Sequence, residues 1–205
     1  ALSVKSVLPF FSVFSFFDGR FKSGEIDMES KEKNTKEKIL EEALKLFAQS
    51  GYMGTSMNDI ASKLGVTKAA LYKHYKSKQE ILDSIIEKMN ELDIERVKLY
   101  EMPEGDLEKV TAEYKETAFD KIKQFTKVQF LHWTEEEFSS CFRKMLTLEQ
   151  YREPQMAQLY QNYLASGPLT YMEALFSGML GDVGKARQTA LDFYGPIFLL
   201  YSIKF

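Results

Sequence analysis

Residues 55–75 read Thr-Ser-Met-Asn-Asp-Ile-Ala-Ser-Lys-Leu-Gly-Val-Thr-Lys-Ala-Ala-Leu-Tyr-Lys-His-Tyr. Met57, Ile60, Ala61 and Leu64 recur at helical spacing, and Gly65 stops the run. Thr67 then caps a second short helix, Lys68 to about His74. Ala61 is small where the two helices cross, and Ile60, Leu64, Val66 and Leu71 supply the apolar contacts that fix the crossing angle. Short helices meeting at a tight turn that opens with glycine have the spacing of a helix-turn-helix, whose second helix enters the DNA major groove.

Working outward, the segment before the motif is an amphipathic helix. Thr35 is its N-cap candidate, Ile39, Leu40, Ala43, Leu44 and Phe47 form its stripe, and Gly51 fits its stop. After the motif, Ser77 with Glu80 three positions on forms a capping box. Ile81, Leu82, Ile85, Ile86 and Met89 carry that helix toward Tyr100. Pro103–Asp106 is a turn, followed by a helix from about Leu107 to Leu131. Thr134 to Glu137 reads as a further capping box, opening a helix to about Tyr151. Pro154 suits the first turn of the next helix, which ends near Ser166–Gly167–Pro168; another spans about Leu169 to Met179. Gly181–Gly184 is a turn, and a last helix starts at Lys185. No alternating β pattern and no internal repeat is present, so the expectation is an all-α chain of eight or nine helices.

Composition narrows the function. The chain has 205 residues, 44% hydrophobic and 28% charged, which is the balance of a globular protein. A single cysteine, Cys141, excludes an internal disulfide and a multi-cysteine zinc site, and fits a reducing cytoplasm. With only two histidines, His74 and His132, no metal or other cofactor is expected. No stretch reaches the 18 or so apolar residues of a membrane span. Cys141 and His132 are the nucleophile–base pair to consider, but no orienting acid, phosphate-binding glycine loop or metal-ligand spacing accompanies them, so catalysis is not expected. Charge is divided along the chain. Residues 28–78 hold ten lysines against six acids, a net +4, whereas residues 79–205 carry a net −7. A basic head on an acidic body suggests a polyanion-binding unit joined to one of different purpose. Residues 1–27, with the aromatic-rich run Val7–Phe17, read as a leader separate from both.

The wider pattern is more specific. Ile39–Leu40, Ala43, Leu46–Phe47, Gly51–Tyr52, Thr55, Asp59–Ile60–Ala61, Leu64–Gly65–Val66, Leu71–Tyr72, His74–Tyr75, Lys78 and Leu82 together resemble the tetracycline-repressor (TetR) family of bacterial transcriptional regulators. The resemblance covers about residues 35–85. It implies a three-helix DNA-binding domain over 28–78 and a helical ligand-binding and dimerisation domain over 79–205. It also implies roles that side-chain chemistry suits. Thr67 caps the recognition helix, while Lys68, Ala69 and Ala70 face the groove, where lysine can donate to guanine and alanine can touch a thymine methyl. Tyr72, His74 and Tyr75 contact phosphates at the rim, Lys73 adds charge, and Thr55 and Lys78 hold the backbone at helix starts. Tyr72 and Tyr75 as core aromatics, and His74 as a plain surface histidine, are the alternatives.

For the body, the resemblance implies a small-molecule pocket between helices. Trp133, Tyr160 and Tyr163, aromatics with polar handles, are the candidates, with Phe119, Phe138, Phe142 and Met145 beside them. The last helix is apolar on two sides: Ala186, Ala190, Phe193 and Ile197 on one, Leu191, Tyr194, Phe198 and Tyr201 on the other. Such a helix needs two surfaces to bury it, one of them a second subunit. Ala186, Ala190, Phe193, Ile197 and Tyr201 are taken as the dimer contact. The expected partners are therefore double-stranded operator DNA, a small-molecule inducer and a second copy of the chain, without a membrane. A helical protein-interaction module that does not bind DNA is the alternative.

Overall fold

A computed structural model describes residues 28–203, so the leader expected over 1–27 lies outside the described residues. The order is α1 (Met28–Ser50), α2 (Met57–Leu64), α3 (Lys68–His74), α4 (Lys78–Leu99), α5 (Leu107–Glu116), α6 (Phe119–Glu135), α7 (Glu137–Glu149), α8 (Pro154–Leu164), α9 (Ser166–Leu180) and α10 (Val183–Ile203). The fold is all-α, with an N-terminal helix-turn-helix followed by a helical domain.

Local chemistry sets the head. Gly51 stops α1 at φ +81°, a left-handed backbone that favours glycine. Ser56 and Asp59 form a reciprocal capping box at the start of α2. At its end, Val66 N–H reaches back to the Ala61 carbonyl at 3.0 Å around Gly65, whose φ is +66°. Thr67 and Ser77 cap α3 and α4 by accepting from the amides of Ala70 and Glu80.

Several boundaries differ from the sequence reading. Thr35 lies inside α1, which already runs from Met28, and so is not its cap. The long helix expected over 107–131 is broken at Thr117. Its amide bonds the Tyr114 carbonyl at 3.2 Å while its hydroxyl takes the Glu113 carbonyl at 2.8 Å, in place of the helical bond. Thr134 does not cap α7; it is inside α6 and bonds the Phe130 carbonyl. The chain is helical through Gly167 and Pro168, because Pro168 sits in the first turn of α9, where no intrahelical N–H is needed.

Gly167 marks a tight joint. A Cβ there would stand 2.0 Å from the Asn162 carbonyl oxygen, backbone that cannot swing aside. Gly167→Ala gains helix propensity but must separate α8 from α9, and is expected to cost about 2 kcal/mol net. Urea denaturation checks this; a stabilised variant would show that the joint yields.

One apolar core joins head and body. Ile39, Ala43, Leu44 and Phe47 of α1, with Ile81 and Ile85 of α4, pack in the same cluster as Trp133 of α6 and Phe142, Met145 and Leu146 of α7. A second cluster holds Val97, Val110, Tyr114, Phe125, Tyr171 and Leu175. Ala186 and Ala190, fully buried, let α10 lie close on α9. Ala186 and Ala190, expected at a dimer contact, thus serve packing within the chain. Tyr201 is buried as well, stacked on Phe130 with ring centroids 5.6 Å apart. Phe193 meets Phe176 at 6.1 Å, and Ile197 packs on the first core. The outward face of α10 carries Leu191, Leu199, Leu200 and Ile203 instead, all exposed.

Candidate functional site

The exposed face of α3 presents Thr67, Lys68, Ala69, Tyr72 and Lys73, with Ala70 and His74 half-buried at its edge. Leu71 is the anchor: fully buried, it seats α3 on α1 and α2. The Lys68 ammonium stands 5.8 Å from the Tyr72 ring centroid, one helical turn on, which holds the cation over the exposed face. Thr67 spends one lone pair on its cap and keeps its hydroxyl in solvent.

Three other residues expected to contact DNA turn inward. Thr55 is buried and donates to the Gly51 carbonyl at 2.9 Å, closing the turn between α1 and α2. Tyr75 packs in the core; burial raises its phenol pKa. Lys78 donates to the Tyr52 and Thr55 carbonyls at 2.6 and 2.8 Å and lies over the Tyr52 ring at 4.2 Å. Its ammonium satisfies carbonyls left over by the turn, and burial lowers its pKa. These residues orient the head without offering their polar groups to a groove.

In the body, a cavity of about 350 Å³ opens between α5, α6, α9 and α10. Its walls are Tyr114, Phe119, Ile122, Phe125, Thr126, Gln129, Phe130, Tyr171, Met172, Leu175, Phe176, Met179, Thr189, Phe193, Tyr194, Ile197 and Tyr201, with no charged side chain. Of the pocket residues expected from sequence, only Phe119 lines it. Trp133, Phe142, Met145 and Tyr163 are buried in the first core, where Trp133 and Phe142 rings lie 6.4 Å apart and Phe142 meets Tyr163 edge-on at 5.1 Å. Phe138 and Tyr160 pack on the edge of that core, away from the cavity. Tyr163 spends its polar handle within the protein, donating to Asn90 at 2.6 Å.

Sequence reasoning missed Gln129. It forms part of a buried polar cluster between α4 and α6. Arg96 donates to Asp93 at 2.8 Å and to Gln129 Oε1 at 2.9 Å, and also meets His132 Nδ1. Burial pushes the Asp93 carboxyl up to about 6 despite the adjacent guanidinium. Burial, with Arg96, lowers His132 to about 4. The available signal was the stripe Ile122, Phe125, Thr126, Gln129, in which a primary amide occupies an apolar register.

His132 is not paired with Cys141. Its Nε2 lies 2.8 Å from Ser139 Oγ, and its Nδ1 lies 2.6 Å from Glu136. That is the order of nucleophile, base and acid, but Ser139 and His132 are fully buried and neither lines the cavity. No reacting group can reach the hydroxyl, so the cluster is a structural one. Among the described residues no helix is long and apolar enough to cross a membrane, and no cluster of side chains could hold a metal ion.

The sequence pattern described as bacterial regulatory proteins of the tetR family matches residues 39–85. Over this region the chain is similar to the TetR family. The TetR match runs from mid-α1 to the second turn of α4 and so contains the whole helix-turn-helix. A TetR-type relative is the biofilm operon icaADBC HTH-type negative transcriptional regulator IcaR of Staphylococcus epidermidis. It is 42% identical over 52 residues, 25% of this chain and 28% of its own length. IcaR of Staphylococcus aureus strain Newman is 41% identical over 51 residues, covering 25% and 27%. The matched part thus spans little more than a quarter of these curated relatives. A crystal structure of a TetR-family transcriptional regulator from Pectobacterium atrosepticum aligns with TM-score 0.40 and 16% identity over 85% of this chain and 86% of that one.

Proposed function

We propose that the chain is a TetR-type transcriptional repressor that binds a palindromic operator as a homodimer and is released by a small-molecule inducer. The exposed face of α3 carries the reading. Lys68, Ala69, Tyr72 and Lys73 stand out on a capped helix held rigidly by Leu71, on the one segment of the chain with a net positive charge. Lys68 and the alanines read base edges, while Tyr72, Lys73 and His74 meet phosphates. The exposed strip Leu191, Leu199 and Leu200 on α10 is the surface assigned to the second copy, which sets the recognition helices about 34 Å apart. The cavity between α5, α6, α9 and α10 is assigned to the inducer, whose preference for one state shifts the population between DNA-fitting and released forms.

The test is binding of the full chain to DNA upstream of its own gene over a salt series. Site-specific binding is expected, with log K falling by about 0.9 per phosphate neutralised for each unit of log salt. Lys68→Ala is expected to weaken it about tenfold with folding intact, and Tyr72→Phe to weaken it less. Folded, dimeric protein that binds no DNA at low salt would leave the chain as a protein-interaction module.

A further inference from the structure

Resting on the inducer reading of the cavity, we infer that it takes an uncharged, largely apolar molecule bearing one hydrogen-bond acceptor, which Gln129 Nε2 holds. No lysine, arginine, histidine, aspartate or glutamate lines the cavity, so a charged ligand would shed its hydration with no countercharge in contact. The aromatic walls, such as Phe125, Phe176 and Phe193, reward apolar area. Two of the other polar groups there are already engaged: Thr126 donates to the Ile122 carbonyl at 2.9 Å, and Tyr194 to the Leu164 carbonyl at 2.8 Å.

Gln129 differs. A guanidinium can only donate, so the amide atom facing Arg96 must be oxygen, and the nitrogen is left over. That nitrogen is buried with no partner among the described residues. A buried N–H without an acceptor is costly, and a ligand carbonyl or ether oxygen would relieve the cost. Arg96 therefore acts on the ligand indirectly, by fixing which end of the amide is presented. Gln129 is the specificity-determining residue.

The experiment compares probes that differ in one group, by calorimetric titration of the full chain without DNA. Benzophenone has the acceptor, diphenylmethane is nearly the same shape without it, and 2-benzoylbenzoate adds a charge. Benzophenone is expected to bind roughly fivefold to tenfold tighter than diphenylmethane, and the carboxylate more weakly than either. Gln129→Glu keeps an oxygen for Arg96 and removes the donor, so it abolishes or reverses the preference while leaving diphenylmethane affinity within about twofold. Gln129→Met, an apolar replacement, levels the two probes should the glutamate variant fold poorly. Equal affinities in the unmodified chain, tighter binding of the carboxylate, an unchanged preference in both variants, or no binding of any probe overturns the proposal. Because no DNA is present, each of these outcomes leaves the operator-binding test to stand or fall separately.

Discussion

Arg96→Met unfolds at markedly lower denaturant, with an expected loss of about 3–5 kcal/mol at neutral pH. The guanidinium is the common partner of Asp93, Gln129 and His132, all buried between α4 and α6. Methionine fills much of the volume, so the loss reports an uncompensated carboxylate and a stranded Gln129 oxygen more than a cavity. The pH dependence distinguishes these causes. Asp93 already holds its proton up to about 6, above the ordinary 3.8, and losing the cation raises that further. A carboxyl raised in the folded state stabilises below its unfolded pKa and loses that contribution as pH climbs through the folded one. His132, held low first by burial and then by Arg96, is depressed less once the guanidinium is gone. Both effects narrow the deficit as pH falls from neutral toward about 5. Equilibrium unfolding at a series of pH values checks this. A deficit that widens on acidification would mean that the charge of Asp93 is not what the variant strands.

Trp133→Ala is expected to cost about 3–5 kcal/mol and to leave the choice between benzophenone and diphenylmethane intact. Trp133 is fully buried, 5.6 Å from His132, 6.4 Å from Phe142 and 6.2 Å from Tyr163 between ring centroids. None of these neighbours lines the body cavity. The void left by the indole adjoins the core shared by α1, α4, α6 and α7, so the head loses support together with the body. Denaturation and probe titration on the same variant separate the possibilities. Retained stability with lost probe binding would return the indole to the ligand site.

The motif around residues 55–75 was legible because its information is local. Glycine at Gly65 and hydroxyls at Thr67 and Ser77 act within a few residues, and the structure uses each where the spacing puts it. Lysines were harder to read. Lys68 and Lys78 look alike in sequence, but the carbonyls that claim Lys78 come from 23 and 26 residues earlier. Pocket residues were misread for a related reason. The α6 stripe turns Phe125 and Gln129 toward α9 and α10 but Trp133 toward α7, and only the crossing of those helices decides which end of the stripe is hollow. On α10, alanines and bulky residues both suit an interface, and sequence could not say that the alanines would be claimed by α9. The break at Thr117 depends on a hydroxyl competing for one carbonyl, a contest invisible to periodicity.

The shared core of Phe47, Ile81, Trp133 and Phe142 bears on how such proteins can be recombined. A chimera that joins this head to a relative's body at the start of α4 severs no strand and no disulfide, yet it confronts α1 with a foreign α7. Its Phe47, Leu44 and Ala43 would face side chains that never matched them. A working graft therefore has to carry the inner face of α7 along with residues 28–78. The unit that can be exchanged is discontinuous in the chain, and moving this helix-turn-helix onto another body is a repacking problem as much as a recognition one.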